Sequence, residues 1–402
     1  MSKTVVIVAT LDTKGEEVQY LRERIEEEGV ETLVVDAGAL GQPPFAPEIT
    51  GEQVAKLGGS SLRAVRALKD EGRAMEVMTK GATQAVQELH QLGRLDGIIG
   101  LGGSMGTSLG TKVMRSLPFG VPKLVVSTMA SRDISTWIGH KDIVMFPSVT
   151  DLSGLNRMTK RTLANAAGAI VGMVHAQIAA HEATRPLIGL GTLGATEGCA
   201  KHAQPLLERM GYEVIVFHTV GSGGRALEEL VQEGMASAVL EISVQELIGH
   251  MLGSPYDAGA DRFENAGRMS IPQVVLPGNA DFIAWSPPSA LPARYANRHL
   301  HMHNPAICLL RTNPEEMRLI AEALAEKLNK GKGPAAVVIP TGGFSAYSRE
   351  GMFFHEPETD RVFGEALRKA LNPKTDIIEV ASNVNDPPCA QAVVKAFQSL
   401  RV

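Results

Sequence analysis

The stretch TVVIVATLDTKGEEVQYLRERIEEEGVETLVVD, residues 4–36, decides the fold. Residues 5–9 are an unbroken apolar run of the length of a buried strand. Thr10-Leu11-Asp12-Thr13-Lys14-Gly15 reads as a turn. Between Glu16 and Glu28, Val18, Leu21 and Ile25 recur at helical spacing on one face, with charged residues elsewhere. Gly29 ends that helix, and residues 32–35 are a second strand. Strand, helix and strand in this order make a parallel βαβ unit with a right-handed crossover.

The layout returns in the second half of the chain. Thr10-Leu11 and Gly29 are matched, at one common offset, by Thr192-Leu193 and Gly211. VPKLVVSTMA (residues 121–130) is matched by IPQVVLPGNA (271–280), each a strand started by proline and running into small and polar residues. LDGIIGLGGS (95–104) and ASAVLEISVQ (236–245) hold corresponding places between them. The expected fold is α/β: two Rossmann-like, doubly wound parallel-sheet subdomains, residues 1–184 and 185–402, with a cleft between them. The Ala-rich segment 159–183 is expected to close the first half as a helix, and residues 182–185 to link the two.

Size and composition agree with this. A chain of 402 residues suits two domains of about 200 each. Only 4% of residues are aromatic, which does not suit a base-stacking surface, and a net charge of −5 without a basic run speaks against a nucleic-acid partner. Cys199, Cys308 and Cys389 form no CxxC pair, which fits a reducing compartment, and the chain begins on a strand rather than a signal peptide. No stretch has the length of a membrane span, so a cytoplasmic protein without a membrane partner is expected.

Five glycine-containing loops at strand ends could carry chemistry. Gly100-Leu101-Gly102-Gly103-Ser104-Met105-Gly106-Thr107 follows one strand and precedes a helix over 107–116. Its glycines let a backbone approach an anion, and Ser104 and Thr107 add hydroxyls. In residues 10–15, Lys14 could meet a phosphate and Asp12 a ribose or a metal-bound water, with Thr10 and Thr13 beside them. The same segment also reads as a helix start capped by Thr13. Gly189-Leu190-Gly191-Thr192-Leu193-Gly194 matches GxGxxG, yet His218 stands where a dinucleotide site needs an acid, and the acid Asp36 lies in the other half. That split argues against an NAD enzyme. Gly221-Ser222-Gly223-Gly224-Arg225 offers a further backbone nest with a guanidinium, and Thr341-Gly342-Gly343 is the fifth loop.

His299, His301 and His303 alternate, so a strand would put them on one face. With Asp257, Asp261 or Glu264 they could hold a divalent metal, or they could be polar loop residues; no metal site is assigned. Catalytic candidates are Asp12, Glu264 and His303, with Arg225 and Arg262 to orient a substrate. The segment 284–292, AWSPPSALP, could expose an apolar partner surface.

With TLDTKGEE (10–17), GLGGSMGT (100–107), FHTVGSGGRALE (217–228), NRHLHMHNP (297–305) and IPTGGFSAYSREGMFFHEPETD (339–360), the whole chain resembles a bacterial and fungal family, otherwise uncharacterised. That family shares its fold with the ATP-binding N-terminal domain of the tomato tobamovirus-resistance protein. The resemblance implies two α/β subdomains, ATP binding and a homodimer. The plant domain blocks viral RNA replication by binding the viral replication protein, and it is followed by a TIM barrel resembling phosphoenolpyruvate mutases. A separate barrel protein is accordingly an expected partner here. Residues 243–246 (SVQE) and 194–197 (GATE) depart from what the resemblance leads one to expect. The function read from the sequence is therefore binding of ATP, with Mg²⁺ brought by its phosphates, in the interlobe cleft. The alternative is an enzyme acting on a small phosphorylated or carboxylic metabolite.

Overall fold

A computed structural model describes residues 2–176 and 185–400. The expected linker, but for Arg185, lies outside the described residues, as does the end of the expected helix 159–183. The chain divides into two compact units, Met1–Ala179 and Ala180–Val402.

In the first unit, β1 (Thr4–Ala9), β2 (Glu31–Asp36), β3 (Gly97–Gly102), β4 (Lys123–Ser127) and β5 (Ile143–Pro147) form one parallel sheet in the order β2-β1-β3-β4-β5. The period of two along β1 splits its side chains between two cores. Val5, Ile7 and Ala9 join Val18, Leu21 and Ile25 of helix Leu11–Glu27, with Leu163, Ala167 and Ile170 of helix Arg157–His175. Val6 and Val8 face Met78, Ala82 and Val86 of helix Glu71–Gln91, with Leu109 and Val113 of helix Ser104–Arg115. Each such burial stabilises the fold by about 1.5–3 kcal/mol, which is why every residue of the apolar run is retained inside.

The second unit adds β6 (Leu187–Thr192), β7 (Glu213–His218), β8 (Ala236–Ser243), β9 (Gln273–Gly278), β10 (Phe282–Trp285), β11 (Leu300–Asn304), β12 (Ile307–Arg311), β13 (Ala335–Pro340) and β14 (Asp376–Val380). Six of these form a parallel sheet, β14-β13-β9-β8-β6-β7, and three an antiparallel sheet, β10-β12-β11. The run β7-β6-β8-β9-β13 repeats the order β2-β1-β3-β4-β5. The paired sequences 121–130 and 271–280 contain β4 and β9, the fourth strand of each unit, and Gly29 and Gly211 both take positive φ just after the first helix of their unit. The antiparallel sheet is inserted between the fourth and fifth strands of this plan.

Two local readings change. Residues 11–15 belong to a helix that starts at Leu11, with a single non-helical residue, Lys14, at φ −127° and ψ 17°. Thr10, not Thr13, precedes it, and the two hydroxyls bond each other at 2.8 Å instead of capping. Leu11 is buried in the core and its N–H donates to the Asp36 carboxylate, so the chain turns helical at once. Second, Gly189 and Gly191 lie inside β6 and form no loop. A Cβ on Gly191 would come within 2.3 Å of the Glu241 carboxylate, so this glycine makes room for a buried acid.

Candidate functional site

In open parallel sheets the ligand crevice lies beyond the carboxyl ends of the strands, where the strand order reverses. In the first unit that place is between β1 and β3. Helix Ser104–Arg115 starts here on Gly103, which offers no side-chain cap. The first helical bond runs from Thr107 N–H to Gly103 C=O at 2.8 Å, so the N–H groups of Ser104, Met105 and Gly106 have no intrahelical partner. The aligned peptide dipoles put partial positive charge at this end.

The glycines of the loop are not equivalent. A Cβ on Gly106 would meet Leu101 C=O at 2.8 Å, and one on Gly102, at φ +154°, would meet Gly106 Cα at 2.9 Å. Both are demanded by the packing of helix on strand. A Cβ on Gly103 would meet only the Thr128 hydroxyl, at 3.8 Å, so the space over the helix start is open. Ser104 is exposed beside it, while the Thr107 hydroxyl is buried and bonds Ser127 at 2.6 Å, away from any ligand.

Next to this helix start is a cavity of about 200 Å³ lined by Thr10, Asp12, Thr13, Glu71 and Met105 together with Ala37, Ala39, Leu40, Ala74, Met75 and Met78. Its wall is largely apolar. Asp12 is partly engaged, its carboxylate accepting from Leu40 N–H at 2.6 Å and Gly41 N–H at 3.3 Å. Asp36 is raised above the usual aspartate range by burial, although the N–H groups of Gly38 and Leu11 oppose this. Lys14 does not reach the crevice: its ammonium donates to Leu152 C=O.

In the second unit the glycine nest follows β7, the counterpart of β2, and it is filled from within. The N–H groups of Gly221 and Gly224 converge on an anion, as the sequence suggests, but that anion is the Glu246 carboxylate, at 2.6 and 2.9 Å. Gly224 has no room for a Cβ, which would lie 1.8 Å from Glu246 Oε2, and a Cβ on Gly223 would lie 1.9 Å from His218 C=O. Glu246 also accepts from Arg262 Nε at 2.7 Å. Arg262 is fully buried, forks onto Glu241 and reaches Glu228 at 3.2 Å. It therefore orients three carboxylates and is not exposed to a substrate. Burial pushes Glu228 and Glu241 above the ordinary carboxylate range, against the pull of Arg262, and the surrounding carboxylates raise the guanidinium well above its usual value in spite of its burial. Arg225 is exposed and donates to Asp257 C=O.

The remaining sequence candidates scatter. Gly342 and Gly343 pack against residues 382–383 and 348 and Thr341 pairs with Val380, while Thr341 and Gly342 are exposed and Thr341 lines a further cavity, of about 380 Å³, with Asp360, Arg361, Arg368 and Glu379. Glu264 is held by Arg268 and Lys327, and Asp257 by His250. Neither meets His299, His301 or His303. His301 and His303 lie on β11. His301 stacks on Phe353 at 3.8 Å, His299 meets Phe354 edge-on, and His303 bonds the Tyr347 hydroxyl at 3.2 Å. Among the described residues no group of three or more His, Cys, Asp or Glu is arranged to hold a metal. Ala284 and Trp285 are buried in β10, so the segment 284–292 does not begin as an exposed apolar surface. His303 does line a second cavity, of about 360 Å³, together with His218, Tyr256, Phe282 and Tyr347.

The sequence reading missed the apolar side of the first crevice, the carboxylates around Arg262 and the aromatic cavity. One signal for the second was present: Glu241 interrupts the apolar strand ASAVLEIS, and a buried charge requires a partner.

Fold and site together define a two-unit α/β protein with an open crevice where the strand order reverses in its first unit and an internal charge cluster beside β8 in its second. The chain belongs to the uncharacterised protein family UPF0261, whose N-terminal domain matches residues 3–179 and whose C-terminal domain matches residues 185–401. A UPF0261 protein of Clostridium tetani is 41% identical over 98% of both chains, and one of Rhizobium meliloti is 37% identical over 99% of both. The ToMV resistance protein Tm-1(GCR237) of Solanum lycopersicum is 31% identical across 98% of this chain, which spans 55% of that protein. Among solved structures, a UDP-N-acetylglucosamine 2-epimerase is similar at 10% identity and a TM-score of 0.23, covering 98% of this chain and 95% of that one. MurG of Acinetobacter baumannii is similar at 14% identity and a TM-score of 0.20, covering 99% of each. Likeness of that degree says nothing about a ligand. Among the described residues no helix is long and apolar enough to cross a membrane.

Proposed function

We propose that the protein binds a nucleotide, ATP with Mg²⁺, in the crevice of its first unit. The observation that carries this reading is Gly103: the protein's own packing does not require a glycine there, yet glycine leaves the start of helix Ser104–Arg115 open beside an apolar cavity. Phosphates would take the N–H groups of residues 104–106, and a flat base would lie against Ala37, Ala39, Met75 and Met78. No Lys or Arg lines the cavity, so charge would come from the helix end and from Mg²⁺, with Asp12 and Glu71 the carboxylates on the cavity wall to face it. Asp12, Thr10 and Thr13 are then binding residues. The homodimer, the barrel-type partner and the cytoplasmic setting rest on the family resemblance and on composition.

The test is thermal unfolding with ATP, ADP, AMP, NAD and NADP, each with and without Mg²⁺. A ligand at a hundred times its dissociation constant adds about 2.7 kcal/mol, a clear rise in the midpoint. ATP or ADP should raise it for the unaltered chain and not for Gly103→Val, which itself should lose only about 1 kcal/mol as a poorer cap. No rise with any nucleotide, or an equal rise in the variant, would discard the reading.

A second reading, an enzyme on a small phosphorylated or carboxylic metabolite, keeps two of its catalytic candidates at cavities: Asp12 in the first unit and His303 in the second.

A further inference from the structure

The second unit holds a cavity that the nucleotide reading does not use. It lies where β6 and β7 end, at Leu193 and His218, and is walled by the antiparallel sheet through Phe282, Ala284 and Leu309. Its volume, about 360 Å³, is within the range of small-molecule sites. The lining is apolar and aromatic, with Phe282 and Tyr347 in an edge contact at 5.7 Å. None of the lining residues carries a carboxylate, an ammonium or a guanidinium. Its polar atoms are the imidazoles of His218 and His303 and the hydroxyls of Tyr256 and Tyr347. The bond between Tyr347 and His303 Nδ1 occupies one ring nitrogen and leaves Nε2 outside it.

A second feature points the same way. At the cavity margin the turn Gly194–Thr196 runs directly into helix Glu197–Arg209. A Cβ on Gly194 would meet nothing within 4 Å, so the backbone of this turn is open to the cavity, whereas the helix start behind it is covered by Asn385, which accepts from Cys199 N–H. An aromatic chamber with two imidazoles and an open turn backbone at one end favours an anionic head on an apolar body. The lining has neither Arg or Lys to pair a phosphate dianion nor, unlike the first-unit cavity, a carboxylate to face a bridging Mg²⁺, which disfavours phosphate here.

We propose that this cavity binds a monocarboxylic acid with an apolar, ring-sized body, its carboxylate towards His218, His303 and the turn at Gly194, its ring against Phe282 and Tyr347. The site is independent of the nucleotide crevice and is tested separately from it.

The experiment is titration calorimetry of the full chain with 3-phenylpropionate, with its uncharged amide and with inorganic phosphate as competitor. The acid should bind about tenfold tighter than the amide, the worth of a charge-assisted hydrogen bond, and phosphate should not displace it. His303→Phe keeps a ring on an exposed strand but removes the donor. It should bring the acid down to the affinity of the amide while leaving any ATP-induced rise in midpoint unchanged. Equal binding of acid and amide, displacement by phosphate, no binding of the acid, or an unaltered affinity in His303→Phe would each overturn the proposal. The comparison of acid with amide uses the unaltered chain, so it decides even where a variant folds poorly.

Discussion

The helix after the third strand starts on Gly103 in the first unit and on Val244 in the second, although β2-β1-β3-β4-β5 and β7-β6-β8-β9-β13 share one strand order. In the first unit the surrounding backbone groups face open space. In the second, Glu246 on that helix inserts its carboxylate into the nest made by Gly221 and Gly224, and Arg262 and two further glutamates complete a buried cluster. The same physics acts in both places, since N–H groups at loop and helix starts attract an anion wherever they converge. What differs is whether the chain supplies that anion. A repeated framework can thus carry an open helix start in one copy and a structural ion cluster in the other, and a glycine-rich motif does not tell them apart.

The largest effect should come from breaking the internal cluster. Arg262→Met leaves Glu228, Glu241 and Glu246 without their cation, and urea unfolding near neutral pH should show a loss of about 3–5 kcal/mol or failure to fold. A loss under about 1 kcal/mol would mean that the cluster contributes little beyond packing.

The comparison is sharpened by emptying the second nest. Glu246→Ala should cost about 2–3 kcal/mol, because Gly221 and Gly224 lose their acceptor while Arg262 keeps Glu241. Phosphate added to the buffer should then raise the midpoint of this variant more than that of the unaltered chain, since the vacated nest resembles the open one of the first unit. An identical response to phosphate in both proteins would break the analogy between the halves.

The smallest effect concerns pH. Burial raises Glu228, Glu241 and Asp281 in the second unit, and burial, reinforced by the Asp281 charge and opposed by Arg311, raises Asp360 to about 7. An acid raised in the folded state contributes stability below its unfolded value and loses it as pH rises through its folded value. For Asp360 the window runs from the ordinary aspartate value of 3.8 to about 7. Asp360→Asn should therefore lose less stability than the unaltered chain between about pH 5 and 7.5, by roughly 1–2 kcal/mol in urea unfolding. Parallel curves would show that Asp360 does not titrate there. Asp36, also raised by burial, adds a term of the same sign in the first unit.

How much was legible follows element by element. The parallel sheets, their winding and their repetition could be read because apolar runs bounded by glycine report strand length directly. The turn at 10–15 was misread because its polar residues look like a loop, whereas burial of Leu11 and the Asp36 carboxylate draw them into a helix. The nest at 221–224 was visible, but its occupant sits 22 and 25 residues away in sequence. The aromatic cavity was not visible, since Tyr256, Phe282, His303 and Tyr347 come from four separate segments.

By itself, then, the sequence determined what period and local propensity encode: two βαβ-built units, their repeated layout and the glycine loops at strand ends. Only the tertiary structure decided which of those loops the protein fills from within. That choice depends on charges brought together by folding, and a buried carboxylate such as Glu246 finds its donors through space and not along the chain.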